Sequence, residues 1–196
     1  MRYRTDITAG SLKVTESRVI ADLLLQSMDE DGWRRALYVD NVLQARSPRT
    51  AKRLRSLIRS RLEPMGPDLW TLVRDGSQPV ATHACLAAAV KQSYLLGDFL
   101  DLVVRQQYRV FAATLSTKLW EDYLQSCRGR DPEMPAWSPS TIARLRSSVF
   151  QILEQAGYVE STRTLKLQSV HIAREVLGHL RAQNEHYVLR CIEVAP

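Results

Sequence analysis

A Ser-Pro helix that occurs twice is the feature of this sequence that most restricts its fold. The second copy begins at Ser138-Pro139, and its apolar residues recur at helical spacing as far as Ala156, before Gly157. The Ser138 hydroxyl can accept a hydrogen bond from the first free backbone N–H groups of the helix. Proline is favoured at the next position, because a backbone N–H there would have no partner within the helix. Gly157 tolerates the left-handed conformation that ends a helix. The pattern therefore predicts one helix with both ends marked.

The first copy lies 91 positions earlier in the chain. When residues 45–62 are aligned with residues 136–153, nine of the eighteen positions are identical, including the Ser-Pro pair. Self-similarity of this kind indicates that one structural unit is used twice. Chance, or a preference for the same capping residues, is the alternative explanation.

The first copy is strongly basic. Between Arg46 and Arg61 the sequence has seven cations and no carboxylate, whereas an ordinary solvated helix face mixes both signs. With Leu54, Ile58 and Leu62 as the buried side, the cations fall on the outward side and its flanks. Such a surface repels itself unless an anion binds to it, which favours a polyanionic partner.

The second copy presents a different outward face. Small and polar residues lie opposite its apolar stripe, and the segment after Gly157 alternates in a way that predicts a β-hairpin: Tyr158-Val159, then polar residues, then Leu165 and Leu167. A capped helix followed by a hairpin is typical of the end of a winged helix-turn-helix. An ordinary surface helix is the alternative.

The whole chain is predicted to be mainly α, with two helix-turn-helix-like modules, the C-terminal one winged with a small β-hairpin or sheet, joined by a helical scaffold. The expected ranges are an N-terminal module at 1–76, the scaffold at 77–115 and the winged module at 116–196. Within them we expect an arm over 1–14 pinned by apolar residues, a second helix from Trp33 to about Leu43, two buried helices between 80 and 110, a helix from Val170 to about Gln183 and a final strand over 187–194.

Composition places limits on location and partners. The net charge of +6 and the pI near 9.5 favour nucleic acid, and no run of apolar residues is long enough to span a membrane. The N-terminus lacks the apolar region of a signal peptide, and the three cysteines are widely spaced and odd in number. We therefore expect a cytoplasmic protein with reduced thiols and no membrane partner.

No constellation of residues predicts an enzyme, a metal site or a cofactor. Asp98 and Asp101 lie one helical turn apart and could form a carboxylate pair, but no histidine or third carboxylate accompanies them locally. The four histidines are scattered without zinc-site spacing, and phosphate-binding glycine motifs are absent from the sequence.

The segment Trp137-Ser-Pro-Ser-Thr-Ile-Ala-Arg-Leu-Arg-Ser, together with Gln155-Ala-Gly-Tyr-Val, resembles the BrxA family of the BREX phage-defence systems. The likeness extends over nearly the full length. It implies a small cytoplasmic, all-helical DNA-binding accessory protein that acts beside a methyltransferase and an ATPase. A suggested link of this family to the NusB-like RNA-binding fold would move the ligand towards RNA. The inner-membrane label that some members carry disagrees with the hydropathy of this chain.

The leading hypothesis is a non-enzymatic two-module binder of duplex DNA. Phosphate contacts are expected from Arg46, Arg49, Lys52, Arg53, Arg55 and Arg59 of the basic helix, base contacts from Ser140, Arg144, Ser147 and Gln151 of the second helix, and backbone contacts from Arg163 and Lys166 of the hairpin. About six phosphate contacts would give a slope of log affinity against log salt near −5. The alternatives are an assembly module that docks other BREX proteins, and an RNA binder.

Overall fold

The computed structural model of the protein describes residues 2–7 and 10–194. Its helices are α1 Val14–Leu25, α2 Glu30–Arg34, α3 Pro48–Leu62, α4 Gly66–Asp75, α5 Gln78–Gln92, α6 Tyr94–Asp98, α7 Arg105–Arg109, α8 Lys118–Arg130, α9 Pro139–Gln155, α10 Arg174–Ala182 and α11 His186–Ile192. Two π-helical segments, Arg35–Val39 and Phe99–Val104, extend α2 and join α6 to α7, and the 3₁₀ turn Glu63–Met65 joins α3 to α4. These helices confirm the prediction of a mainly α fold. Among the described residues no helix combines the length and the hydrophobicity that crossing a membrane requires.

Both Ser-Pro helices begin as the sequence predicts. The Thr50 N–H donates to Ser47 Oγ at 3.2 Å, and the Thr141 N–H donates to Ser138 Oγ at 3.3 Å. Each hydroxyl satisfies one of the backbone donors that a helix start leaves without a partner. Gly157 has a φ of +85°, so the expected left-handed stop after α9 is also confirmed.

Helix α5 is the centre of the packing. Every residue from Val80 to Val90 is buried, and α1, α3, α4, α10 and α11 all contact this helix. The run of alanines explains this, because small side chains let neighbouring helices approach α5 on every side. The two buried helices expected between 80 and 110 are confirmed, with the break at Ser93, whose hydroxyl accepts from the Leu96 N–H.

The N-terminal arm is fixed to the helical scaffold. Tyr3, Ile7 and Leu12 are fully buried and belong to the same cluster of core side chains as α5, α8 and α9. The backbone N–H groups of Arg2 and Tyr3 both donate to Asp131 Oδ2, at 2.6 and 3.1 Å. The expectation that apolar residues pin the arm is confirmed.

The predicted β-hairpin is wrong. Within the described residues the segment after Gly157 forms only isolated antiparallel bridges, Val159 to Leu167 and Thr114 to Lys166, and no strand. The reason is local: the Leu165 N–H bonds to the Ser161 carbonyl, and Leu165 has a φ of +49°, so the chain coils where a hairpin leg should extend. The two legs still exchange the bonds Glu160 N–H to Lys166 carbonyl and Gln168 N–H to Tyr158 carbonyl, and Leu165 and Leu167 also bond to residues 113–115, which the sequence does not predict.

The predicted strand over 187–194 is also wrong, because this stretch forms α11. Val188, Cys191 and Ile192 recur at helical spacing and are buried, and α11 packs on α5. Two helix boundaries differ as well. The second helix begins at Glu30, where Asp29 accepts from the Gly32 N–H, and its π-helical extension ends at Val39; the helix expected from Val170 begins only at Arg174.

Candidate nucleic-acid interface

The basic segment 46–53, which ends in the first turns of helix α3, places four cations on the protein surface. Ala51, Leu54, Ile58 and Leu62 are buried on the inner side of α3, which leaves the opposite side to solvent. Four side chains of this segment, which we call the cation face, are exposed: Arg46, Arg49, Lys52 and Arg53. In residues 2–7 and 10–194 no carboxylate lies in ion-pair distance of any of the four. The positive charge of this face is therefore available to an external anion.

A shallow groove of about 500 Å³ runs beside the cation face. Arg49, Lys52 and Arg53 line it together with Asp6 and Gln92. Asp6 accepts from the Ser93 hydroxyl at 2.6 Å, and burial raises the pKa of this carboxyl. The groove is open, and its charged lining consists of three cations and Asp6, so it suits an extended anion better than an enclosed small molecule.

Arg55 and Arg59 were predicted as phosphate contacts, but the fold already engages both. Arg55 Nη2 donates to Glu30 Oε1 at 2.6 Å, and Arg59 Nε donates to Glu63 Oε1 at 2.7 Å and also lies near Glu30. The two guanidinium groups stack over the buried Trp33 ring at 4.8 and 5.0 Å from its centroid. The pairing with Arg55 lowers the pKa of Glu30. These two arginines therefore attach α2 to α3 and are less available to a ligand.

Arg61, the seventh cation of the segment, is buried. Its Nη1 donates to the Ser11 carbonyl at 3.1 Å, and its Nε donates to Gln92 Oε1 at 3.3 Å. Burial lowers the pKa of Arg61 to about 10. Three of the seven cations counted in the sequence thus serve the fold, and four form the surface.

Helix α9 exposes a small polar face. The predicted residues Ser140, Arg144, Ser147 and Gln151 are all exposed along one side of this helix. Ser147 Oγ donates to the Ala143 carbonyl at 3.0 Å, so its hydroxyl is partly committed to the helix itself. A groove of about 290 Å³ lies between this face and the residues Thr117 and Thr162. The structure therefore brings the four residues together, as the helical spacing predicts.

Arg163 and Lys166 are exposed as expected, but they lie on a coiled turn and not on a hairpin. Ser161 shapes this turn, because its hydroxyl accepts from the Thr164 N–H at 3.1 Å. Both cations remain without an ion pair in the part of the chain that the structure describes. Arg163 directly follows Thr162, which lines the α9 groove, and Arg146 of α9 lines the groove itself.

Asp98 and Asp101, the carboxylate pair considered for catalysis, have structural partners. Asp98 is buried and accepts from the hydroxyls of Tyr3 and Tyr187 at 2.7 and 2.9 Å, while Arg2 pairs with it at 2.9 Å. Asp101 pairs with Arg105 at 3.0 Å and with Arg190 at 2.9 Å. Asp98 therefore holds the N-terminal arm and α11 to α6. Asp101 holds α11 to the π-helical segment that follows α6.

The cysteines and His83 also pack within the fold. Cys85, Cys127 and Cys191 are buried free thiols, and burial raises the pKa of Cys85 to about 11 and that of Cys191 to about 12. His83 Nδ1 accepts from the Ala173 N–H at 3.0 Å, and burial lowers the pKa of the imidazole. A thiol with a raised pKa is a poor nucleophile at neutral pH.

Together these features define a mainly helical protein whose candidate sites are open surfaces, one cationic and one small and polar. The BrxA family model matches residues 1–184, and the chain therefore belongs to the BrxA family. It is 56% identical over 194 residues to the BREX protein BrxA of Paramagnetospirillum magneticum (strain ATCC 700264 / AMB-1), covering 99% of this chain and 98% of that one. It is 34% identical over 188 residues to the BREX protein BrxA of Escherichia coli O9:H4 (strain HS), covering 96% and 88%.

A solved structure shares the fold. The crystal structure of an uncharacterized protein from Magnetospirillum magneticum superimposes with a TM-score of 0.93 at 54% sequence identity, and the match covers 100% of both chains. The family model and the two BrxA relatives confirm the resemblance to the BrxA family that the Trp137 segment shows.

Proposed function

We propose that this protein is a DNA-binding component of a BREX phage-defence system that holds duplex DNA through backbone phosphates. The observation that carries the proposal is the cation face, where Arg46, Arg49, Lys52 and Arg53 are exposed without a paired carboxylate among the described residues. Phosphate contacts of this kind supply affinity and orientation, and little sequence information.

The spacing of the cation face suits a duplex. Arg49 to Arg53 covers about 6 Å of helix axis, and duplex DNA presents about one phosphate charge per 1.7 Å of its own axis. That figure counts both strands, and one strand presents a phosphate about every 3.4 Å of axis, so each cation meets a phosphate of its own only if the long side chains spread along the strand or across a groove. Four such contacts give a slope of log affinity against log salt near −4. This slope is shallower than the value of about −5 expected from six contacts, because the fold already engages Arg55 and Arg59.

The α9 polar face is the proposed base-contacting surface. Arg144 and Gln151 are the side chains whose donors and acceptors match the major-groove edges of guanine and adenine, respectively. The small residues Ser140, Ala143 and Ser147 on the same side of α9 would let this helix approach the bases closely. On this proposal α9 makes the base contacts without a β wing, and residues 131–138 separate it from α8.

Replacing Arg144 and Gln151 by alanine is expected to reduce discrimination between duplex sequences, because each bidentate base contact contributes about 1–3 kcal/mol. Competition binding with a preferred and a scrambled duplex at fixed salt measures this. The ratio of the two affinities should fall about tenfold or more. An unchanged ratio would leave α9 without a role in reading bases.

Replacing Glu30 by glutamine is expected to strengthen DNA binding. The substitution removes the carboxylate that engages Arg55, so that a phosphate can compete for this guanidinium, and the salt slope should move from about −4 towards −5. Arg59 keeps its bond to Glu63. The control is Asp122→Asn on α8, which makes the same charge change at an exposed residue away from α3. Equal slopes for the two variants would show that Arg55 does not reach the DNA.

Two alternatives are separated by one comparison of ligands. An assembly role is favoured by the exposed apolar residues Tyr38, Val39 and Val42, which follow α2. The test measures binding to duplex DNA, single-stranded RNA and isolated BREX proteins at the same salt concentration. The proposal predicts the highest affinity for duplex DNA, and tighter binding to RNA or to a protein would contradict it.

A further inference from the structure

Phe111 stands out because the fold presents it to solvent. It lies in the loop between α7 and α8, and its side chain is 90% exposed, while its neighbour Val110 is 57% exposed. Its φ of +53° is in the left-handed region, which an aromatic residue rarely adopts. This conformation is the left-handed stop of α7, and it leaves the aromatic ring in solvent with no packing role.

The loop that carries Phe111 is anchored on both sides. The Phe111 N–H donates to the Tyr108 carbonyl and the Ala112 N–H to the Gln107 carbonyl, each at 3.0 Å. Tyr108 is itself held, because its hydroxyl donates to the Gln168 carbonyl. After Phe111, the Leu115 N–H donates to the Leu165 carbonyl at 2.8 Å. Phe111 is therefore displayed from a fixed base.

The chain around Phe111 is cationic. Residues 102–120 contain Arg105, Arg109 and Lys118 and no carboxylate, and residues 161–174 contain Arg163, Lys166 and Arg174 and no carboxylate. Hydrogen bonds between residues 113–115 and 165–167 join the two segments. Arg105 pairs with Asp101, but the other five are exposed, and in the described ranges none of them has an ion pair. An apolar tip on a segment rich in cations, bonded to a second such segment, is complementary to an anionic ligand with an apolar interior.

The length of chain between the α9 groove and Phe111 sets an upper limit on their separation. Thr117 and Thr162 line the groove beside α9, and Phe111 lies six residues before Thr117 on a segment that is partly extended. Six residues span at most about 20 Å. A minor groove lies about half a helical turn, roughly 17 Å, from the adjacent major groove. If α9 occupies a major groove, Phe111 can reach the neighbouring minor groove.

We infer that Phe111 is a minor-groove wedge, an apolar side chain that inserts between base pairs of the duplex while the surrounding cations hold the phosphates. Wedges of this kind partly unstack a base step and bend the DNA. The inference rests on the proposed function, because it requires the protein to bind duplex DNA. It adds a specific contact outside the two Ser-Pro helices and a deformation of the ligand.

The experiment uses the full chain and a duplex of about 30 base pairs that carries 2-aminopurine, whose fluorescence rises when the base is unstacked. The variants are Phe111→Ala, Phe111→Trp and, as a control, Leu102→Ala. The control removes a different apolar side chain, which is 48% exposed. Binding of the wild-type protein should raise the fluorescence. Phe111→Ala should abolish the rise and weaken binding about tenfold, while Phe111→Trp and Leu102→Ala keep both.

The result separates the wedge from the DNA-binding function itself. If Phe111→Ala binds duplex DNA as the wild type does with the same fluorescence, the wedge is overturned and the proposed function stands. The same conclusion follows if Phe111→Ala loses only binding to another BREX protein, which would make Phe111 a protein-docking residue. If the wild-type protein fails to bind the duplex at all, the proposed function is overturned and the wedge with it.

Discussion

Replacing Arg49, Lys52 and Arg53 together by alanine is expected to weaken binding to duplex DNA about 100-fold at low salt, which corresponds to about 2.7 kcal/mol. The three side chains are exposed and without an ion pair in the described part of the chain, so each loses a phosphate contact and no internal contact. For the same reason the fold should be retained. Fluorescence anisotropy with a labelled duplex measures the affinity, and circular dichroism checks the fold.

The matched control for this variant removes three charges elsewhere. Arg4, Arg34 and Arg128 are exposed, lie outside the cation face and have no ion pair among the described residues. Their replacement by alanine makes the same change in net charge, so a general electrostatic effect would weaken both variants equally. A large loss in the α3 variant alone is the expected outcome, and equal losses would contradict a localised interface.

Replacing Asp98 by alanine is expected to lower the free energy of unfolding by about 4 kcal/mol. The carboxylate accepts from the hydroxyls of Tyr3 and Tyr187 and pairs with Arg2, and its removal leaves the buried Tyr3 hydroxyl without this acceptor and Arg2 without its ion pair. The N-terminal arm and α11 would then lose their common attachment to α6. Urea unfolding followed by circular dichroism gives the difference in stability.

The control for Asp98 is Asp122→Ala, which removes an exposed carboxylate of α8 and should change stability by less than about 0.5 kcal/mol. Asp98→Asn should lie between the two, because an amide oxygen can still accept one of the tyrosine hydroxyls. A loss below about 1 kcal/mol for Asp98→Ala would show that the arm is held mainly by its apolar residues.

Features fixed by local chemistry could be predicted from the sequence. The two Ser-Pro starts and the stop at Gly157 depend on residues within one turn of each helix end, and all three are present. The buried and exposed sides of α3 and α9 follow from helical periodicity alone. The four residues of the α9 polar face were therefore placed together correctly.

Features fixed by tertiary contacts could not be predicted in the same way. Residues 187–194 are β-branched and alternate enough to suggest a strand, but their burial against α5 favours a helix. The turn at Ser161 and Leu165 turns the expected hairpin into a coil. Glu30 and Arg55 are 25 positions apart, so sequence spacing did not reveal that two of the predicted phosphate contacts are engaged.

The salt dependence of DNA binding tests the central claim most directly. Log affinity for a duplex is measured against log salt for the wild-type protein and for the variant lacking Arg49, Lys52 and Arg53. The account predicts a wild-type slope near −4 and a variant slope about 3 smaller in magnitude. A wild-type affinity that does not change with salt, or the same slope in both proteins, would contradict binding through the cation face.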